Sequence, residues 1–213
     1  MSFSHARSLL DYNYHHPPSP ERLLIQDTIL QSFLSTPPPI SPQPLLIFLA
    51  GAMGAGKGHI LRKWHQERKL DLNSFIINDS DQLKSLIPEA SALSQANPLT
   101  ASTLLHQEAS MLSDILFWET LFRGYSSIID GTLKDTEWFL SLFAKIRHDF
   151  PSYRIEILYV TADPDVIRKR CAKRGLQTGR YIPDAVIEDA LLRVPESVRR
   201  LSQVVDRTTH VVN

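Results

Sequence analysis

An α/β fold, with a central parallel sheet flanked by helices, is predicted by two features of the sequence. From Leu45 onward, short apolar runs of β type alternate with helical patterns, as parallel strands joined by helical crossovers do. The first of these runs, LLIFLA, leads straight into a glycine-rich loop, and an amphipathic helix carrying Ile60, Leu61 and Trp64 leaves it. At 213 residues, 43% of them hydrophobic, the chain is long enough to bury one substantial core.

Residues 1–44 read as an N-terminal proline-rich arm with a short helix, and residues 45–213 as the main domain. Eight of the fourteen prolines lie within the arm, clustered at Pro17-Pro18-Ser19-Pro20 and Pro37-Pro38-Pro39 around a helix-like run from Glu21 to Phe33. In that run Leu23, Leu24, Ile25, Ile29, Leu30 and Phe33 are expected to form one stripe that packs onto the main domain, a partner-binding arm being the alternative.

The loop after LLIFLA is Gly51-Ala52-Met53-Gly54-Ala55-Gly56-Lys57, a match to GxxxxGK, followed by Gly58 and His59. GxxxxGK alone arises by accident in about one chain in twenty at average composition. Its placement between an apolar strand and an amphipathic helix is what makes it a phosphate-binding loop. Glycines let consecutive backbone N–H groups wrap a phosphate, the helix N-terminus adds a favourable dipole, and Lys57 supplies a point charge to the β- and γ-phosphates. The fold is therefore expected to be that of P-loop NTPases, with Gly51 through His59 as nucleotide-binding residues. A glycine turn with a surface lysine is the alternative. Gly58 stands where Ser or Thr usually holds Mg²⁺, so a hydroxyl ligand at that position is missing.

Acids follow at the ends of later strands. SFIIN at 74–78 runs into Asp79-Ser80-Asp81, placing two carboxylates where ligands bind in open α/β sheets. Asp81 is the candidate base toward an attacking hydroxyl. Asp79 either contacts substrate or caps the next helix. A long helix from about Ala101 to Phe122, phased on Leu104, turns Glu108 and Glu119 toward its apolar sector, and acids there require a basic partner, solvent or a polar pocket. SSIID at 126–130 ends in Asp130, placed beside the loop as Walker-B acids are and a candidate to anchor Mg²⁺ through water.

A helix bearing Trp138, Phe139, Leu142, Phe143 and Ile146 precedes the strand YRIEILYVTA at 153–162. Between Asp165 and Asp184 there is no acid, but there are six cations: Arg168, Lys169, Arg170, Lys173, Arg174 and Arg180. A solvated basic helix is the ordinary reading of such a run. Arg170 and Arg174, however, share a sector with Val166, Ile167 and Cys171 and so face the domain, where arginines neutralise a transferring phosphoryl. Gly175 to Arg180 has the composition of a mobile loop that brings Arg180 onto the γ-phosphate. Thr209 to Asn213 reads as a last strand.

Composition excludes some classes of function. Lys plus Arg and Asp plus Glu both number 23, so no general nucleic-acid-binding surface is expected. The longest apolar runs fall far short of the ~20 residues of a membrane helix. One cysteine, Cys171, and the lack of a cleavable leader pattern fit the cytoplasm, and are compatible with delivery into another cell by a route that reads no such signal.

With these pieces placed, the chain from about Leu45 to Asn213 resembles the zeta-toxin family of P-loop kinases, through LLIFLAGAMGAGKGH, FIINDSDQLK, HQEA at 106–109, IIDGTLKD and RKRCAKRGLQTGRYIP. The resemblance implies an ATP- or GTP-dependent, Mg²⁺-requiring kinase acting on a sugar hydroxyl of UDP-N-acetylglucosamine. It makes Asp81 the general base, gives Glu108 and Thr132 the acceptor, and sets Arg170 and Arg180 on the phosphoryl group, with Lys57 and the loop holding the nucleotide. It also brings a possible neutralising protein partner. Gly58 stands where the toxins commonly carry Thr or Ser, and Asp130 where they can carry Glu. A nucleotide or nucleoside kinase, favoured by the glycine after Lys57, and an inactive nucleotide-binding interaction module are the alternative functions.

Overall fold

A computed structural model of the protein describes residues 3–178 and 182–213. Among the described residues, five parallel strands form one sheet: β1 (Leu45–Ala50), β2 (Ile76–Asp79), β3 (Ser127–Asp130), β4 (Arg154–Thr161) and β5 (Arg207–Val212), in the order β2-β3-β1-β4-β5. β1 is central and covered on both faces, which is why it reads as an unbroken apolar run and not as an alternation. β5, at one edge, alternates between half-buried and exposed positions and begins at Arg207, before the expected Thr209.

The helices are α1 (Ser4–Arg7), α2 (Pro20–Leu34), α3 (Lys57–Gln66), α4 (Ser80–Ser85), α5 (Ala90–Ala96), α6 (Pro98–Leu104), α7 (His106–Phe122), α8 (Thr136–Asp149), α9 (Pro164–Thr178) and α10 (Asp184–Leu201). The helix expected from Ala101 to Phe122 is two helices, α6 and α7, separated at Leu105, whose backbone sits at φ −89°, ψ −4°. The break buries Leu105 and leaves Leu104 61% exposed, so a helical wheel phased on Leu104 starts from a solvent position. α7 is instead buried over a broad face from Ala109 through Leu121.

The N-terminal residues share the main core. Ser19 caps α2 by accepting from the Arg22 N–H, Pro20 opens the helix, and Ile29, Leu30 and Leu34 join one hydrophobic cluster with β1, β3 and α7. Phe3, Ala6 and Leu10 belong to the same cluster. The predicted stripe is narrower than expected: Leu24 is 71% exposed, while Gln26 is buried. Leu30 is fully buried, so Leu30→Ala is expected to cost about 2–5 kcal/mol in urea unfolding, the range for a leucine deleted from a core.

Candidate active site

β1 delivers the chain into a loop that ends where α3 begins at Lys57. Gly54 and Gly56 adopt φ of +87° and +97°, a region that L side chains rarely occupy. A Cβ on Gly54 would also sit 2.9 Å from Cys171 Sγ and from Ile167 O, because α9 lies directly behind the loop. That helix and the C-terminal residue tie down the loop's carbonyls. Cys171 Sγ donates to Met53 O at 3.2 Å, Arg170 Nη1 to Gly54 O and Ala55 O at 3.3 Å each, and Asn213 Nδ2 to Ala55 O at 2.8 Å. With the carbonyls held from this side, the loop's amides are left for an anion.

The parallel register of β2 and β3 sets Asp79 beside Asp130 at the carboxyl edge of the sheet. Lys57 Nζ donates to Gly51 O at 3.1 Å and stands 3.9 Å from Asp130 Oδ1. Burial pushes the Lys57 ammonium down and the Asp130 carboxyl up from their ordinary values, each partly offset by the other, and Asp79 and Asp81 push Asp130 further up. Both groups are thus desolvated charges that an incoming polyphosphate and cation would complement. Asp79 Oδ1 accepts from the backbone N–H of Asp81 (2.8 Å) and of Gln82 (3.4 Å), so it caps α4. Asp81 approaches Lys84 Nζ at 3.8 Å.

These groups line one cleft of about 740 Å³, formed by Met53, Gly54, Gly56, Lys57, Gly58 and His59 on one side, Asp79, Ser80 and Asp81 on another, and Asp130, Gly131, Thr132, Arg170 and Arg174 around the rest. Thr132 also accepts the Gly51 N–H through its carbonyl at 3.2 Å, locking loop to strand end. Gly51, Ala52 and Ala55 form the buried back of the loop. Arg62, Lys84 and His106 line the cleft too, and the sequence reading did not single them out. Arg62 lies one turn after Gly58 and Lys84 one turn after Asp81, so helical spacing from the motif residues is the signal that finds them. Arg180 lies outside the described residues.

Glu108 lines neither this cleft nor the cavity beside it. It accepts from Arg22 Nε at 2.6 Å and Nη2 at 2.5 Å and from Gln26 Nε2 at 2.9 Å, while Arg22 also bonds both oxygens of Glu89. Two carboxylates hold the Arg22 guanidinium firmly charged. Glu108 therefore joins α2 to α7, and Glu119, the other inward acid, pairs with Arg123. Arg22→Ala leaves two carboxylates without their shared partner and is expected to destabilise the fold by about 2 kcal/mol in chemical denaturation.

A second cavity of about 360 Å³ shares Asp130 and Gly131 with the cleft. Its walls are aromatic and aliphatic, with Phe48 and Ile129 from the sheet, Phe117 and Trp118 from α7, and Trp138, Phe139 and Leu142 from α8. Asn78, Ser113 and Asp114 give it polar positions on one side, and Asp11 and Lys145 on others. Asn78 and Ser113 bond each other reciprocally at 2.9 Å, joining β2 to α7. Asp114 receives a 2.8 Å bond from His15.

No curated protein matches the sequence. Solved structures share the fold at low identity. A chain of the PezAT chromosomal toxin–antitoxin system of Streptococcus pneumoniae superimposes with a TM-score of 0.75 at 18% identity, over 92% of this chain and 80% of that one. A chain of the AvrRxo1-ORF1:-ORF2 complex with ATP gives 0.67 at 16%, over 92% and 64%. One from the Pnkp1/Rnl/Hen1 RNA repair complex gives 0.53 at 22%, over 74% and 46%, so this chain spans under half of its length. The family model described as Zeta toxin matches residues 29–213, most of the sequence. The chain belongs to the Zeta toxin family and is a P-loop kinase.

Proposed function

We propose that the protein moves the γ-phosphoryl group of ATP or GTP onto a hydroxyl of a nucleotide sugar such as UDP-N-acetylglucosamine. The observation that supports this reading is the pair of adjoining cavities. One is lined by the phosphate loop and cations, the other by aromatic rings and hydrogen-bonding side chains, and Asp130 and Gly131 stand at their shared wall. A polyphosphate suits the first. The second suits a molecule with a planar ring and several hydroxyl or amide groups.

In this reading Lys57 and the loop amides hold the β- and γ-phosphates, and Arg170, with Arg180 from the following segment, balances charge on the phosphoryl in flight. Asp81 accepts the proton of the attacking hydroxyl, since Asp79 is committed to two backbone N–H groups. Thr132 and Asp114 contact the acceptor, and Glu108 supports α7 from behind through Arg22. Catalysis then comes from positioning and charge, with no covalent enzyme intermediate.

Mg²⁺ suits the cleft. Among the described residues no three His, Cys, Asp or Glu side chains form a cage, whereas Mg²⁺ uses one or two carboxylates with waters and phosphate oxygens. Asp130 would hold it, with Asp79 and the Ser80 hydroxyl beside it in place of the hydroxyl that Gly58 lacks. When bound, it would supply positive charge that neutralises the phosphates.

A neutralising protein partner belongs to the same reading, supported by the family and by the toxin–antitoxin system of the PezAT relative. Among the described residues no helix is long and apolar enough to cross a membrane, which is compatible with action in the cytoplasm.

Thermal denaturation with each ligand tests the assignment of the two cavities. ATP or GTP with Mg²⁺ is expected to raise the melting temperature, and UDP-N-acetylglucosamine to raise it further when added on top, because the sites adjoin without overlapping. Stabilisation by the nucleotide alone would leave a kinase for another acceptor. Stabilisation by neither would contradict the proposal.

A further inference from the structure

The N-terminal segment that precedes the family match takes part in the second cavity. Leu9, Leu10 and Asp11 line it, and every other lining residue comes from within residues 29–213. Four residues after Asp11, His15 is only 1% exposed, and its Nε2 donates to Asp114 Oδ2 at 2.8 Å across 99 residues of sequence. A carboxylate can only accept, so Nε2 carries a proton and donates it to Asp114. Nδ1 is buried and has no hydrogen-bond partner among the described residues. An imidazole that merely filled space would be replaced at lower cost by an apolar side chain, so its contact with Asp114 is what gives this buried ring a use.

The segment is fastened at several points. Arg7 bonds Gln26 at 2.8 Å and Asp27 at 2.7 Å, Gln107 Nε2 donates to Tyr14 O at 2.7 Å, and Phe3 and Ala6 are in the core. His15 therefore reaches Asp114 from a fixed platform. Asp114 itself remains partly open to the cavity, with 38% of its side chain exposed.

We infer that His15 is a positioning residue for acceptor recognition, holding the Asp114 carboxylate so that it receives a hydroxyl or amide N–H of the acceptor. Asp11, Leu9 and Leu10 make this segment a specificity element of the kinase. The inference rests on the proposed nucleotide-sugar acceptor. It requires no chemistry from His15, which lines neither cavity and acts only through Asp114.

The test is calorimetric titration of the full chain with UDP-N-acetylglucosamine, and separately with a non-hydrolysable ATP analogue and Mg²⁺. The proteins are the wild type, His15→Ala, His15→Gln, Asp114→Ala and the His15→Ala/Asp114→Ala double variant. His15→Ala is expected to weaken sugar-nucleotide binding about tenfold, the size of one lost charge-assisted hydrogen bond, and to leave the ATP analogue unchanged. His15→Gln, whose amide N–H can donate to Asp114, is expected to recover most of the loss. The double variant should bind no more weakly than Asp114→Ala alone, because the two residues act as one unit. A His15→Ala protein that binds the sugar nucleotide like wild type overturns the inference, as do equal losses for both ligands or additive losses in the double variant. Wild type that binds the ATP analogue but not UDP-N-acetylglucosamine overturns the acceptor reading, and this inference with it.

Discussion

Lys57→Ala is expected to lower kcat about 10³-fold, the scale seen when one preorganised charge at a transferring group is removed. Lys57 is the group that meets Asp130, at 3.9 Å, and Arg170 spends one guanidinium nitrogen on the loop carbonyls. Nucleotide affinity should fall less than kcat, because the loop amides remain. The substitution also has a signature in stability. Burial already pushes Asp130 up, and Lys57 is the largest influence opposing it. Without Lys57 the folded-state value rises further above the unfolded one. A carboxyl raised in this way favours the folded state where it is protonated and loses that contribution as pH rises through its folded value. Urea midpoints of Lys57→Ala should therefore climb more steeply than those of the wild type as pH is lowered through the window just above the ordinary carboxylate range.

Asp81→Asn is expected to reduce kcat by about 10²–10⁴-fold, the usual contribution of a positioned general base, with nucleotide binding unchanged. The amide keeps size and polarity but cannot take the proton of the attacking hydroxyl. Steady-state turnover alongside nucleotide titration checks both halves. Loss of nucleotide binding would place Asp81 on the phosphates instead, and unchanged turnover would remove it from the chemistry. Asp79 next to it is the instructive contrast. Its Oδ1 accepts two backbone N–H groups, so local hydrogen bonding makes Asp79 the cap of α4, a choice that the sequence leaves open.

The sheet and phosphate loop were legible because their signals are local. An apolar run feeding GxxxxGK predicts strand, loop and helix together, and Asp79 and Asp130 follow as the last residues of their strands. The second cavity was less legible because its parts meet across long separations. Asp114 falls outside the single apolar sector drawn for residues 101–122, whereas α7 is buried over a broader face that includes Phe117 and Trp118. The same wheel favoured Glu108, and no periodicity could reveal that Arg22, 86 residues away, takes its carboxylate. The contacts of Asn213 with the loop and of His15 with Asp114 are likewise tertiary, spanning 158 and 99 residues. A terminal asparagine or an arm histidine carries no motif that marks such a role.

Phosphoryl transfer to a nucleotide sugar is tested most directly by mass spectrometry of a reaction containing the protein, ATP or GTP, Mg²⁺ and UDP-N-acetylglucosamine. The sugar nucleotide is expected to gain the mass of one phosphoryl group with the wild-type protein and not with Lys57→Ala. An unmodified sugar nucleotide, from a protein that still binds ATP, would contradict it.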